Sequence, residues 1–140
     1  MTLYAATLVA LALDENTTPV LEKASELSPA QHIHLVHIEE RPVTGYGSVA
    51  GRHHLDGEGQ LRQQLFPQLQ ALAQPYGIPG TNLHIEFGDP APEILLLAKR
   101  LNAAVIVTGS QGKHGLFRSS VLSELVKVAH CDLLSVYTRP

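Results

Sequence analysis

Apolar and polar positions divide this chain into two alternating kinds of segment. Short runs of apolar, often β-branched residues predict five strands, at about 6–13, 33–38, 83–87, 105–108 and 133–137. Between them, apolar residues recur at helical spacing and predict helices at about 18–27, 60–74, 89–101 and 120–129. Regular alternation of strand and helix predicts one α/β domain over residues 1–140, with a mainly parallel open sheet and helices on both faces.

Three local features refine this picture. Thr17 is expected to cap the first helix, since threonine at this position can accept a hydrogen bond from a free backbone N–H. Pro67 is expected to kink or break the second helix. Segment 39–59 holds five glycines and the pair His53-His54, and it predicts a long irregular loop whose role stays open.

The amino-acid composition indicates which partners and which cellular compartment to expect. The formal net charge is −3, and lysines and arginines are scattered, so neither nucleic acid nor an anionic membrane is an expected partner. The single cysteine, Cys131, fits a reducing compartment and is interpreted as a buried small residue rather than a nucleophile. The opening apolar run 3–13 lacks a basic flank and is too short to span a bilayer, so we expect a cytoplasmic protein.

A glycine-rich segment follows the fourth predicted strand. Gly109, Gly112 and Gly115 stand between that strand and the last helix, a layout that offers backbone N–H groups and a helix N-terminus to an anion. The spacing fits neither the Walker loop nor the dinucleotide motif. A tight connection in which the glycines only make the turn is therefore equally open. In a parallel sheet this segment would meet residues 14–15 and 38–39 at the carboxyl edge of the strands, where ligands bind.

Catalytic and metal-binding patterns are weak. The eight histidines include His32 and His34 on one face of the second strand, whereas His34 and His37 should point to opposite faces. No helical histidine pair or cysteine ligand supports zinc, so no metal is predicted. No nucleophile elbow, C-x-x-C pair or carboxylate pair is present, so no catalytic residue is assigned and binding is favoured over turnover.

The chain resembles the universal stress protein family over almost its whole length. Four stretches carry the resemblance: L-V-A-L-A-L-D-E-N, H-L-V-H-I, G-D-P-A-P-E-I-L and V-I-V-T-G-S-Q-G-K-H-G-L. The resemblance implies a five-stranded parallel sheet of order 3-2-1-4-5, the adenine-nucleotide α-hydrolase-like arrangement. It also implies a cytoplasmic homodimer. The ending L-V-K-V-A-H-C-D-L-L-S-V is similar to the universal stress protein A-like subgroup.

The same resemblance bears on nucleotide binding. Many members bind ATP through an aspartate after the first strand and a loop of form G-x2-G-x9-G-[ST]. Asp14, Gly109 and Gly112 match these positions, but Leu122 stands where the third glycine is required. A shortened loop that ends at Ser119-Ser120 fits better, and it resembles the universal stress protein A-like subgroup, which is associated with loss of ATP binding. The candidate nucleotide-contacting residues are Asp14, Val36, His37, Gly109, Gly112, Lys113, Ser119 and Ser120.

Each of these residues also has a structural interpretation. Asp14 can form a turn, Lys113 can be a solvated loop residue, and the serines can cap the last helix. The leading hypothesis is a homodimeric stress-response binding module with weak or no nucleotide binding and with unidentified protein partners. The alternative is a sensor that binds ATP or AMP, with at most slow ATPase activity. The last strand is apolar and would form the dimer edge, through Leu133, Leu134, Val136 and Tyr137.

Overall fold

The computed structural model describes residues 2–13, 16–39, 51–110 and 119–138, with the backbone alone described at 51–56 and 119–120. The strands are β1 (Thr7–Leu11), β2 (Ile33–Glu39), β3 (Leu83–Phe87), β4 (Val105–Gly109) and β5 (Asp132–Val136). The α-helices are α1 (Thr18–Leu27), α2 (Gly51–Ala73), α3 (Pro90–Leu101) and α4 (Ser119–Val128). None of the helices in these ranges is both long and apolar enough to cross a bilayer.

The strands form one parallel sheet of order β3-β2-β1-β4-β5, which confirms the predicted architecture. β1 lies in the centre, where Thr7 is in register with Ile33 on one side and Val105 on the other. All five β1 residues are buried, as expected for a strand covered by helices on both faces.

Alternation along the strands separates two core layers. Val9 and Leu35 point to one face and pack with the apolar sides of α1 and α2. Leu8 and Val36 point to the other face and pack with α3 and α4. Burial of each such aliphatic side chain stabilises the fold by about 1.5–3 kcal/mol. The two layers together fix the register of the sheet, because a slip by one residue would exchange the two faces.

The second helix departs from the sequence-based expectation. α2 begins at Gly51, so the part of the predicted loop at 51–59 is helical, and residues 40–50 lie outside the described chain. Pro67 does not break the helix, which continues to Ala73. Leu69 and Ala73 are almost fully buried beyond the proline. Their packing offsets the backbone hydrogen bond that proline cannot donate, and the predicted break of the helix does not occur.

The start of the first helix also differs in detail. Thr17 occupies the capping position, but its backbone is helical and its side chain makes no capping hydrogen bond. Instead, the Asn16 side-chain oxygen accepts from the Thr18 N–H at 3.4 Å. The Thr17 side chain is buried, and the Thr17 carbonyl accepts from the Leu21 N–H. The predicted N-cap position of Thr17 is therefore confirmed, whereas its side chain is buried and does not make the expected capping hydrogen bond.

Two histidine rings join the edge strand β3 to β2. His34 Nδ1 and His84 Nε2 lie 3.0 Å apart, and the rings stack with centroids 5.3 Å apart. One nitrogen must donate and the other accept, so at least one ring must be neutral. Partial burial is the main cause that lowers the pKa of both rings. The charges of His84 and His32 lower the pKa of His34 further. The Arg100 charge lowers the pKa of His84 further.

This pair should make the fold sensitive to mild acid. The pKa of each ring is lower in the folded chain, so the unfolded chain binds more protons as the pH falls. Stability is fully present above the ordinary histidine pKa of about 6.5 and is lost as the pH falls below it. We expect the urea midpoint to fall between about pH 7.5 and pH 5, and to fall less in the double variant His34→Gln, His84→Gln. Equal pH dependence in the two proteins would show that this pair is not the cause.

Candidate functional site

The candidate site lies at the carboxyl ends of β1 and β4. From β1 the chain crosses to β2 on one side, whereas from β4 it crosses to β5 on the other. The strand order therefore switches direction between these two strands, and in open parallel sheets such a switch leaves a crevice at the carboxyl edge. Residues 12–13 and Ser110 continue the chain from the two strands at this edge.

Several predicted contact residues fall at the limits of the described chain. Asp14, Gly112 and Lys113 lie outside the described residues. Ser119 and Ser120 are the first two residues of α4, so their backbone N–H groups belong to the unpaired first turn of a helix. The predicted helix N-terminus at this edge is confirmed, one residue earlier than expected.

Gly109 is not in a loop. It is the last residue of β4, and its φ is not positive, unlike those of Gly77 and Gly88. A Cβ added to it would meet Thr138 Cγ2 at 3.4 Å and Val20 Cγ2 at 3.5 Å, which are ordinary contact distances. The expectation that Gly109 stands between the fourth strand and the last helix is therefore wrong, because Gly109 belongs to the strand. Its backbone is held by strand pairing to β5 instead.

Ser110 connects the candidate site to the edge strand. Its N–H donates to the Val136 carbonyl at 2.8 Å, and its hydroxyl oxygen accepts from the Thr138 N–H at 3.0 Å. The sequence reasoning did not assign Ser110 a role, although a hydroxyl residue directly after a strand is a common local acceptor. These bonds fasten the end of β5 to the carboxyl edge of β4.

His37 is held between two acceptors at the end of β2. Its Nδ1 lies 3.3 Å from the Leu11 carbonyl and its Nε2 lies 3.0 Å from Glu39 Oε1. A carbonyl and a carboxylate oxygen both accept hydrogen bonds, so each ring nitrogen of His37 faces an acceptor. Glu39 was not among the candidate site residues. Its spacing of two from His37 on a strand, which puts both on one face, was the available signal.

Val36 offers no surface to a ligand. Its side chain is fully buried among residues that pack on α3 and α4, and β1 and β3 pair with it on either side. The predicted contact between Val36 and a nucleotide therefore has no support in the described structure. Thr108, in β4, is also fully buried, and no described group bonds to its hydroxyl.

The part of the chain that the structure describes contains no candidate metal site. No group of three or more histidine, cysteine or carboxylate side chains there could hold a metal ion. Cys131 lies just before β5, at the opposite edge of the sheet from the candidate site. Partial burial and the Asp132 carboxylate raise the pKa of its thiol, which favours the unreactive protonated form.

Comparison with known proteins identifies the family. The family model described as "Universal stress protein family" matches residues 4–136. The chain belongs to the universal stress protein family. A curated relative, universal stress protein A homolog 2 of Coxiella burnetii, is 32% identical over 139 residues, which cover 95% of this chain and 94% of the relative.

Solved structures of universal stress proteins share this fold. One is a universal stress protein in complex with cAMP, with a TM-score of 0.58 and 18% identity, covering 99% of this chain and 100% of the other. Another is the Archaeoglobus fulgidus protein in complex with dAMP, with a TM-score of 0.59 and 15% identity, covering 96% and 99%. At this identity the two structures establish the fold of this universal stress protein, and the nucleotides belong to those proteins.

Substituting alanine at Gly109 and at Gly88 should distinguish a glycine in ordinary strand conformation from a glycine whose positive φ disfavours other residues. Gly109→Ala should change the free energy of unfolding by no more than about 1 kcal/mol, because Ala fits a strand with ordinary contacts. Gly88→Ala is the comparison, since Gly88 has φ +136° and should lose about 1–3 kcal/mol. Urea unfolding measures both. A larger loss at Gly109 than at Gly88 would contradict the assignment of Gly109 to an ordinary strand.

Proposed function

We propose that this universal stress protein is a cytoplasmic, homodimeric stress-response binding module that binds nucleotides weakly or not at all and acts through protein partners. One observation supports the proposal that nucleotides bind weakly or not at all. Leu122 and Ser123, which stand where the ATP-binding pattern requires glycine and a hydroxyl residue, lie inside α4. Leu122 packs against the core layer formed with α3. A residue in that position cannot form part of a phosphate-binding loop.

The consequence for phosphate binding follows from the hydrogen bonds that are lost. Without a loop that extends to 122–123, the remaining phosphate donors are backbone groups near Gly112, the Lys113 side chain and the two serines that open α4. Each lost hydrogen bond to a charged phosphate weakens binding by about 1.5–3 kcal/mol. Loss of two therefore reduces affinity by about a hundredfold or more.

The second candidate function is a sensor that binds ATP or AMP. It is favoured by the switch-point crevice, by the free first turn of α4 and by the family members that bind cAMP and dAMP. The adenine would then lie near Asp14 and His37, and the phosphates between Gly109 and Ser120. Asp14 would accept from the ribose, and Lys113 would offer its charge to a phosphate. Slow ATP hydrolysis belongs to this alternative only.

Nucleotide carried through purification separates the two candidates. The protein is purified without added nucleotide, denatured and analysed by chromatography for ATP and AMP. We expect no stoichiometric nucleotide, and no change in Gly112→Val, because the intact loop already lacks the donors for tight binding. The sensor is supported instead if ATP or AMP is released at one per chain and Gly112→Val abolishes it, since a β-branched side chain blocks close approach of the backbone.

The homodimer is proposed from the open edge of β5. The Asp132 N–H donates to the Ala104 carbonyl, and the Val136 carbonyl accepts from the Ser110 N–H, so these β5 groups point toward β4. Backbone groups alternate along a strand, and therefore those of Leu133 and Ser135 point to the open edge. The side chains of Leu133, Leu134 and Val136 are half-buried, whereas Tyr137 lies beyond the strand and is 68% exposed. A second copy placed antiparallel by a two-fold axis would pair with this edge.

Removing a backbone N–H that points to the open edge of β5 tests whether two copies pair there. Ser135→Pro deletes an N–H that faces away from β4, so it should spare the fold and shift the mass measured by light scattering toward the monomer. Ser135→Thr, which keeps the N–H and suits a strand, is the matched control and should remain dimeric. A monomeric unmodified protein would contradict the proposal. A dimer that persists in a folded Ser135→Pro variant would place the interface elsewhere.

A further inference from the structure

A cavity of about 480 Å³ lies between α3 and α4. Two of its lining residues are Ala103, which precedes β4, and Cys131, which precedes β5. These residues stand at the amino edge of the sheet, whereas the candidate nucleotide site stands at the carboxyl edge. The cavity is therefore a separate feature, and a ligand bound in it would be independent of the proposed function.

The cavity walls are mainly apolar, from a buried base to an exposed mouth. Ile106 of β4 is fully buried among the lining residues. Leu96 of α3 and Val128 of α4 also line the cavity, yet they remain 49% and 50% exposed. Large aliphatic side chains that stay half exposed on both sides of an apolar cavity are typical of a ligand site, and the volume is in the usual range for small molecules.

The charge of the lining points to the polar part of the ligand. Lys99 is the lysine of the lining, and no aspartate or glutamate lines the cavity. Within the described part of the chain, Lys99 makes no ion pair. An ammonium group at the edge of an apolar cavity is complementary to a carboxylate attached to an apolar chain.

We propose that this cavity binds a medium-chain aliphatic carboxylate. The chain lies between α3 and α4 over Ile106, and the carboxylate meets the Lys99 ammonium group at the mouth. Binding involves no covalent step, and Cys131 serves only as part of the wall.

Cys131 makes the proposal directly measurable. It is the single cysteine of the chain and it lines the cavity, so its reaction rate with an aromatic disulfide reagent reports occupancy. Decanoate, kept below its micelle concentration, should slow this reaction in a saturable way. Hexanoate and octanoate should bind more weakly, by about fourfold for each methylene removed. Decanol, which has the chain without the charge, should bind more weakly than decanoate.

Two variants test the location of the site. Lys99→Met keeps an unbranched side chain but removes the charge, and it should weaken decanoate about tenfold, with Lys99→Arg as the control that retains binding. Ala103→Phe should fill the cavity and abolish the effect of decanoate. If Ala103→Phe does not fold, as judged by urea unfolding, Ala98→Leu replaces it.

The same measurements can overturn the proposal. It is wrong if decanoate gives no saturable protection of Cys131, or if protection is unchanged in both Lys99→Met and a folded cavity-filling variant. It is also wrong if Cys131 becomes protected with rising protein concentration in the absence of decanoate, because a second copy would then cover the cavity.

Discussion

Complete burial of β1 is the constraint on which the rest of the structure depends. All five residues of Thr7–Leu11 are buried, with strands on both sides and helices on both faces. A strand buried in this way is typical of the centre of a parallel sheet, with a strand on each side and helices on both faces. The same placement brings the carboxyl ends of β1 and β4 together and creates the crevice of the candidate site. Architecture and candidate site thus have one physical origin.

Most strands and helices of the fold could be predicted from the sequence, because buried strands appear as short runs of apolar residues. β3 was predicted with its observed bounds, and α1 likewise. The errors arose where tertiary packing outweighs local preference. α2 incorporates Gly51, Gly57 and Gly59 and continues through Pro67, because the buried side of its later turns packs on the sheet. A glycine signals conformational freedom, but Gly109 shows that it can also stand in an ordinary strand.

The candidate site was harder to predict because its contacts join residues far apart in sequence. The His37 ring bridges the Leu11 carbonyl and Glu39, and Ser110 joins the end of β4 to Val136 and Thr138. The spacing of two between His37 and Glu39 places both on one face of β2, but no periodicity in the sequence specifies the bonds to Leu11, Val136 and Thr138. They have a consequence for function, because the bonds of Ser110 connect the crevice to the open edge of β5. Ser110 therefore lies between the crevice and the strand edge at which we propose that two copies pair.

Leu122 and Ser123 belong to α4, and we therefore propose that the chain segment before this helix is too short for tight nucleotide binding. Titration of the nucleotide-free protein with magnesium ATP in a calorimeter tests this most directly. We expect no resolvable heat at micromolar concentrations and at most weak, millimolar binding. A one-to-one isotherm with a dissociation constant in the micromolar range or tighter would contradict it and would establish the sensor instead.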